Sequence, residues 1–175
     1  PQKEGLLVNP ASPYGIQKYV GELYVKNFYD IFGLEGVSLR YFNLYGPSMP
    51  FEGAYNSVIA TFIKQKKEKV ALTIFGDGEQ TRDFIYVDDV IEANLKAAFS
   101  EMVGRGEVLN VGTGISSSVK RIAELMDGEE IYLEERKGDI KHSVADISKA
   151  QNLLGWEPKV SLEDGIKIIK EVYKL

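Results

Sequence analysis

Short strand-like runs alternate with helical stretches along almost the whole chain, and this alternation restricts its fold more than any other feature. Residues 14–32, YGIQKYVGELYVKNFYDIF, place Tyr24, Val25, Phe28, Ile31 and Phe32 at helical spacing, and Gly33 can stop the helix. Val37–Phe42 reads as a strand, Asn43–Pro47 as the turn that ends it, and 50–56 as a loop. A second helix spans 57–67. A strand at 70–75 closes in the tight turn Gly76-Asp-Gly78. Asp83–Val87 is strand-like, with Asp88 placed to cap a helix over 89–99. A strand at 107–111 runs into Gly112-Thr-Gly114, and one of Ser116, Ser117 or Ser118 caps a helix to Met126. A strand at 131–133, a loop at 136–139 and a helix at 147–154 stopped by Gly155 follow. Ser161-Leu-Glu-Asp164 has the pattern of a capping box for a last helix reaching about Lys174. The expected class is α/β with a largely parallel sheet. The first helix and the strand at 37–42 call for more sheet than the chain supplies, which points to an absent N-terminal half.

Composition narrows the partners. The 175 residues suffice for a well-buried core, and 44% hydrophobic with 27% charged residues is the balance of a soluble globular protein. A net charge of −5 disfavours non-specific binding to nucleic acid. The longest basic run, Lys64-Gln-Lys-Lys67, lies in an amphipathic stretch and reads as a solvated helix face. The chain has no cysteine, which excludes disulfides, thiolate chemistry and Cys-ligated zinc and suits a reducing, cytoplasmic setting. No apolar run approaches the length of a membrane span, and PQKEG is not a signal peptide. The first residue is not Met, so a processed chain or a fragment is expected.

Tyr14 and Lys18 carry the sharpest chemical signal. Four apart on a helix, their side chains meet. A free phenol titrates near ~10, and an ammonium beside it favours the phenolate. The spacing therefore suits a tyrosine that takes and returns a hydroxyl proton, although Tyr-x-x-x-Lys also occurs in helices by chance. Asp83, Asp88 and Asp89 read as a buried hydrogen bond and a helix cap, and no metal is expected. Gly112-Thr-Gly114 reads as a strand-to-helix turn rather than a phosphate loop. His142 reads as a loop residue beside the pocket, Trp156 as packing beneath the last helix, and Arg40 as a sheet-flank ion pair.

Five segments share order and spacing with one family. NPASPYGIQKYVGE resembles the Tyr-x-x-x-Lys segment of extended short-chain dehydrogenase/reductases, and LRYFNLYGP resembles the strand and turn that follow it in the nucleotide-sugar enzymes. IFGDGEQTRDFIYVDDV is similar to the diphosphate-contacting segment, and LNVGTG to the next strand. RKGDIKHSVADISKAQNLLGWEP resembles the C-terminal substrate loop and helix of UDP-glucose 4-epimerase relatives.

The resemblance implies the C-terminal part of a Rossmann-like parallel sheet plus a small α/β substrate-binding domain. Residues 1–50 and 82–115 would belong to the NAD-binding domain, and 51–81 and 116–175 to the substrate domain. Tyr14 would be the catalytic base and acid. Lys18 would hold the nicotinamide ribose and favour the phenolate. Tyr41 and Phe42 would lie near the nicotinamide of NAD. Asn43 would contact the sugar or diphosphate, and Asn56 the diphosphate. Arg82 and Arg136 would clamp the phosphates, as guanidinium forks suit phosphate oxygens, with a salt-bridge role as the alternative. Asp139 would accept from the nucleotide ribose hydroxyls.

The implied reaction is epimerisation at C4 of UDP-glucose and UDP-galactose through a transient 4-keto sugar. Tyr14 would take the 4-hydroxyl proton as hydride leaves for NAD, and give it back when hydride returns to the opposite face. Two features of the family are missing. The Gly-x-x-Gly-x-x-Gly loop that holds the dinucleotide pyrophosphate is absent, as is the Ser/Thr upstream of the tyrosine. The missing NAD-binding half is expected in cis or as a separate chain, with no turnover by this chain alone. A homodimer through helix 14–32 is a further implication. The alternatives are a nucleotide-sugar 4,6-dehydratase or decarboxylase, an ADP-heptose epimerase, against which the tail speaks, and a non-catalytic binding module or split-enzyme subunit.

Overall fold

The computed structural model describes residues 1–51, 57–136, 138 and 140–175. In chain order its elements are α1 (Pro13–Phe32), β1 (Gly36–Tyr41), β2 (Asn43–Tyr45), α2 (Val58–Glu68), β3 (Leu72–Phe75), β4 (Thr81–Arg82), β5 (Phe84–Tyr86), α3 (Val87–Phe99), β6 (Arg105–Val111), β7 (Ser117–Ser118), α4 (Val119–Met126), β8 (Glu130–Leu133), α5 (Ser148–Leu154) and α6 (Leu162–Tyr173).

The class is α/β, and parallel pairing dominates. Strand β1 pairs with β6, β2 with β5 and β3 with β8, all parallel, while the short β4 and β7 run antiparallel. The described strands form separate pairs rather than one continuous sheet. Helix α1 lies across β1 and β6. Gly106 lets it sit so close: its φ is 80°, and a Cβ there would stand 2.7 Å from Lys26 Cα.

Caps follow the sequence in most places. Ser118 and Ser161 each accept from a backbone N–H of the first turn of α4 and α6, and Ser57, read from the sequence as the first residue of the second helix, caps α2 in the same way. Ser161 and Asp164 also exchange a side-chain bond of 2.6 Å. Three expectations need correction. Asn43–Tyr45 is a strand, because Asn43 N donates to Asp83 O at 2.9 Å and the segment then pairs with β5; the turn comes only at Pro47 and Ser48. Asp88 does not cap α3. The helix starts at Val87 behind Tyr86, which makes no side-chain cap bond, and Asp88 stands in the first turn, where its charge faces the helix dipole. Trp156 packs with Ile85, Val90, Leu109 and Ala150, between β6, α3 and α5, rather than beneath α6.

Two apolar clusters hold these layers. One joins Tyr45, Phe62, Ile74, Ile122 and Ile169 among others; the second surrounds Trp156, whose Nε1 donates to Asp89 O at 3.0 Å. Helix α1 stands apart: none of its residues is buried, and Ile31 and Phe32 are 61% and 70% exposed.

Candidate active site

Tyr14 stands in the first turn of α1, and local chemistry fixes that turn. Ser12 Oγ accepts from Gly15 N at 3.1 Å, and Pro13 takes a position where its missing N–H is no loss. Lys18 follows one turn later, with Nζ 5.3 Å from the Tyr14 ring centroid. One turn further, Glu22 accepts from Arg40 of β1 through both carboxylate oxygens, each at 2.7 Å. That bidentate bond, ahead of the burial that opposes it, holds the Arg40 guanidinium above its ordinary value. The sheet-flank ion pair expected of Arg40 is thus present. Tyr14, Lys18, Glu22, Arg40 and Tyr41 all line one cavity of about 780 Å³ between α1 and β1. Tyr41, at the end of β1, also donates its hydroxyl to Asn94 Oδ1 of α3 at 2.7 Å. Phe42 follows it, its N–H on Val111 O at 2.9 Å.

Asp83 organises the next part of the site. Asp83 O accepts from both the backbone N and the side-chain Nδ2 of Asn43. This ties Asn43 to the residue that follows Arg82 in the chain and leaves the Asn43 carboxamide oxygen to accept. The fully buried Asp83 carboxylate takes Thr113 N and Oγ1 on one oxygen and Gly114 N and Ala145 N on the other, at 2.6–3.1 Å. The backbone donors of Thr113 and Gly114 are therefore already used, in keeping with a structural turn. Asp89 likewise takes the N–H groups of Lys159 and Val160.

Arg82 is half-buried, with Nη1 on Thr81 O at 2.9 Å. Thr81 bridges to 141–143 and meets His142 Nδ1 through its hydroxyl at 3.0 Å. A cavity of about 150 Å³ opens there, lined by Phe75, Gln80, Ile140 and His142 among others. At its edge the Arg136 guanidinium lies 3.7 Å from the Phe75 ring centroid. That is cation–π distance on a flat aromatic face. Strands β3 and β8 cause the meeting, since Phe75 pairs with Leu133 and both strands end there. Asn56 and Asp139 lie outside the described residues.

The sequence profile of the NAD dependent epimerase/dehydratase family matches residues 1–112. The chain belongs to that family. UDP-glucose 4-epimerase of Mycolicibacterium smegmatis is 34% identical over 180 residues, covering 99% of this chain and 56% of that protein. A crystal structure of UDP-glucose 4-epimerase from Thermotoga maritima, with UDP-glucose, is 42% identical with a TM-score of 0.92; it covers 99% of this chain and 57% of that one. UDP-glucuronic acid 4-epimerase of Bacillus cereus, in complex with UDP-glucuronic acid and NAD, is 37% identical with a TM-score of 0.88, over 98% and 55% of the two chains. The chain thus spans slightly more than half the length of these relatives.

For this member of the epimerase/dehydratase family, the structure groups the sequence-derived residues in three places. Tyr14, Lys18 and Tyr41 share the large cavity, Asn43 is bonded to the backbone of Asp83, next in the chain to Arg82, and Arg136 stands over Phe75. Sequence reasoning passed over Phe75, the ring on which Arg136 lies. The available signal was an aromatic at a strand end directly before a Gly-Asp-Gly turn. The pairing of Glu22 with Arg40 is readable only in part: Tyr14, Lys18 and Glu22 recur every four residues, but nothing local shows that Glu22 closes on the next strand.

Proposed function

We propose that these residues are the substrate-facing part of an NAD-dependent nucleotide-sugar 4-epimerase acting on UDP-glucose and UDP-galactose. The observation that carries the reading is the Tyr14–Lys18 pair, one helical turn apart on the wall of one large cavity. The residues fit the nicotinamide riboside end of NAD. The cavity lies in the range of small-molecule sites, about 300–1,000 Å³, and Lys18 brings three rotatable donors suited to ribose hydroxyls. Bound NAD supplies the acceptor and donor of hydride at the sugar C4. Tyr14 Oη takes the proton of the sugar 4-hydroxyl and returns it after the ring has turned over. Lys18 holds the ribose. Asn43 offers its carboxamide oxygen to the substrate, and Arg82 and Arg136 grip the diphosphate, Arg136 giving up the Phe75 ring to the flat base. Asn56 and Asp139 complete the nucleotide contacts.

The remainder of the NAD-binding domain, in cis or on a separate chain, belongs to the same reading, with residues 1–50 and 82–115 as this chain's share of it and 51–81 with 116–175 as the substrate domain. The share of its relatives that the chain spans supports this, as does the exposed apolar face of α1. A homodimer through α1 and a cytoplasmic location fit as well; among the described residues no helix is long and apolar enough to cross a membrane.

The test is product analysis with UDP-galactose, using protein made from its complete coding sequence. Conversion to UDP-glucose without net consumption of NAD supports the reading. Release of carbon dioxide from UDP-glucuronate, or loss of water from the sugar, replaces it with the decarboxylase or dehydratase. Turnover of UDP-galactose by the isolated 175 residues sinks the claim that they need a further NAD-binding half.

A further inference from the structure

Glu22 stands one turn beyond Lys18, a position from which a helical carboxylate can reach a lysine. Here it does not serve Lys18. Both its oxygens are held by Arg40 at 2.7 Å, while Lys18 Nζ stands over the Tyr14 ring. We propose that Arg40 is a positioning residue for the proton-transfer chemistry: it withholds Glu22 from Lys18, so that the ammonium stays with Tyr14 instead of being neutralised from behind. The inference rests on the catalytic reading of Tyr14 given above.

The geometry makes the arrangement specific. A bidentate guanidinium–carboxylate pair fixes both the distance and the plane of the carboxylate, which a single lysine contact does not. The pair is well shielded, the Arg40 and Glu22 side chains being 27% and 15% exposed, so solvent screens it less than a surface pair. It lies in the same cavity wall as Tyr14 and Lys18. The other charged or titratable groups there are few. Helix α1 adds Tyr19, and β1 adds Tyr41. The N-terminal segment adds Lys3 and Glu4, whose carboxylate accepts from Asn110 N and whose backbone oxygen meets Arg40 Nη1. Among the described residues lining the cavity, Glu22 is the carboxylate that α1 contributes, and Arg40 is its described partner.

Charge balance gives opposite signs for the two halves of the pair. In Arg40→Met, Glu22 is released toward Lys18, and Tyr14 ionises at higher pH by about one unit. The rising limb of the pH–rate profile moves with it, and the rate below that limb falls about tenfold. In Glu22→Gln, Arg40 remains as an uncompensated cation, and the same midpoint moves down. In the double variant it returns close to the parent.

The experiment is an NMR titration of NAD-free protein, made from its complete coding sequence and isotope-labelled at the tyrosine ring carbon that bears the hydroxyl. The Tyr14 signal is assigned by its loss in Tyr14→Phe, and the pH–rate profiles are recorded in parallel. Opposite shifts in the single variants, cancelling in the double, support the proposal. Unmoved midpoints, or shifts of one sign in both, overturn it and leave the pair as a mere fastening of α1 to β1. Should Arg40→Met fail to fold, the downward shift in Glu22→Gln and its absence decide alike. If Tyr14→Phe keeps full turnover, the epimerase reading fails, while the titration still reports the charge arrangement.

Discussion

Among single residues, Tyr14 and Tyr45 show how little the residue type says about the task. Tyr14 is half-exposed on a cavity wall beside an ammonium. Replacing it with Phe removes one oxygen and little else, so turnover should fall by about 10²–10⁴-fold with UDP-sugar affinity nearly unchanged. A parallel loss of affinity in calorimetry would make Tyr14 a binding residue instead. Tyr45 is 2% exposed, and its hydroxyl has no hydrogen-bond partner among the described residues. Burial pushes this phenol well above its ordinary range. Such a hydroxyl costs stability, so Tyr45→Phe should raise the unfolding free energy by about 1 kcal/mol in urea titrations. A lower value would mean that the hydroxyl is satisfied. The neighbouring Gly165 cannot be enlarged cheaply, because a Cβ there would meet the Tyr45 oxygen at 2.1 Å. Gly165→Ala should cost about 2 kcal/mol, and less in the Tyr45→Phe background.

For the elements, stability gathers at a few junctions. Asp83 fastens the β4–β5 junction to the end of β6 and to the 145 segment through four hydrogen bonds. Asp83→Asn turns one acceptor into a donor that faces N–H groups and should lose about 3 kcal/mol or more; a midpoint equal to the parent's would refute that account. Helices α4 and α6 are tied by Arg121 and Glu163 at 2.9 Å. The hydrogen bond from Arg121 holds the Glu163 carboxyl below its ordinary value of 4.5. A depressed carboxylate stabilises the fold at pH above its unfolded value, and the gain disappears as pH falls through the folded one. Glu163→Gln should therefore be slightly less stable at neutral pH and lose less on acidification, a small effect because both groups are exposed. These junctions also mark how far the sequence could be read. Ser118, Gly155 and the Ser161–Asp164 box announce helix ends, because a cap is decided within four residues. Asp88 misled because its competitor is tertiary: α3 starts where β5 ends, whatever polar residue follows. Asn43 misled for the same reason, since its strand exists only through Asp83 O, far along the chain.

As a whole molecule, the chain is unevenly finished. The two apolar clusters are sealed, yet α1 shows Leu23, Tyr24, Ile31 and Phe32 at its surface. Apolar exposure on this scale fits a face covered by other polypeptide. Self-association in sedimentation experiments is the expected outcome, weakened by Leu23→Glu, whereas a strict monomer at high concentration would count against it. That helix was legible from its periodicity, and so was its surplus of apolar residues. The Tyr14–Lys18 pair was legible because a helix brings it together locally. Phe75 under Arg136 was not, because two strands remote in sequence create the contact. The same remoteness governs how the molecule is made. Leu39 lies beside Leu109, Leu44 beside Ile85, and Ile74 beside Tyr132. Each parallel pair must close a loop of tens of residues before any ladder bond rewards it, so refolding should be slow, and early in synthesis the ribosome holds strands whose neighbours do not yet exist.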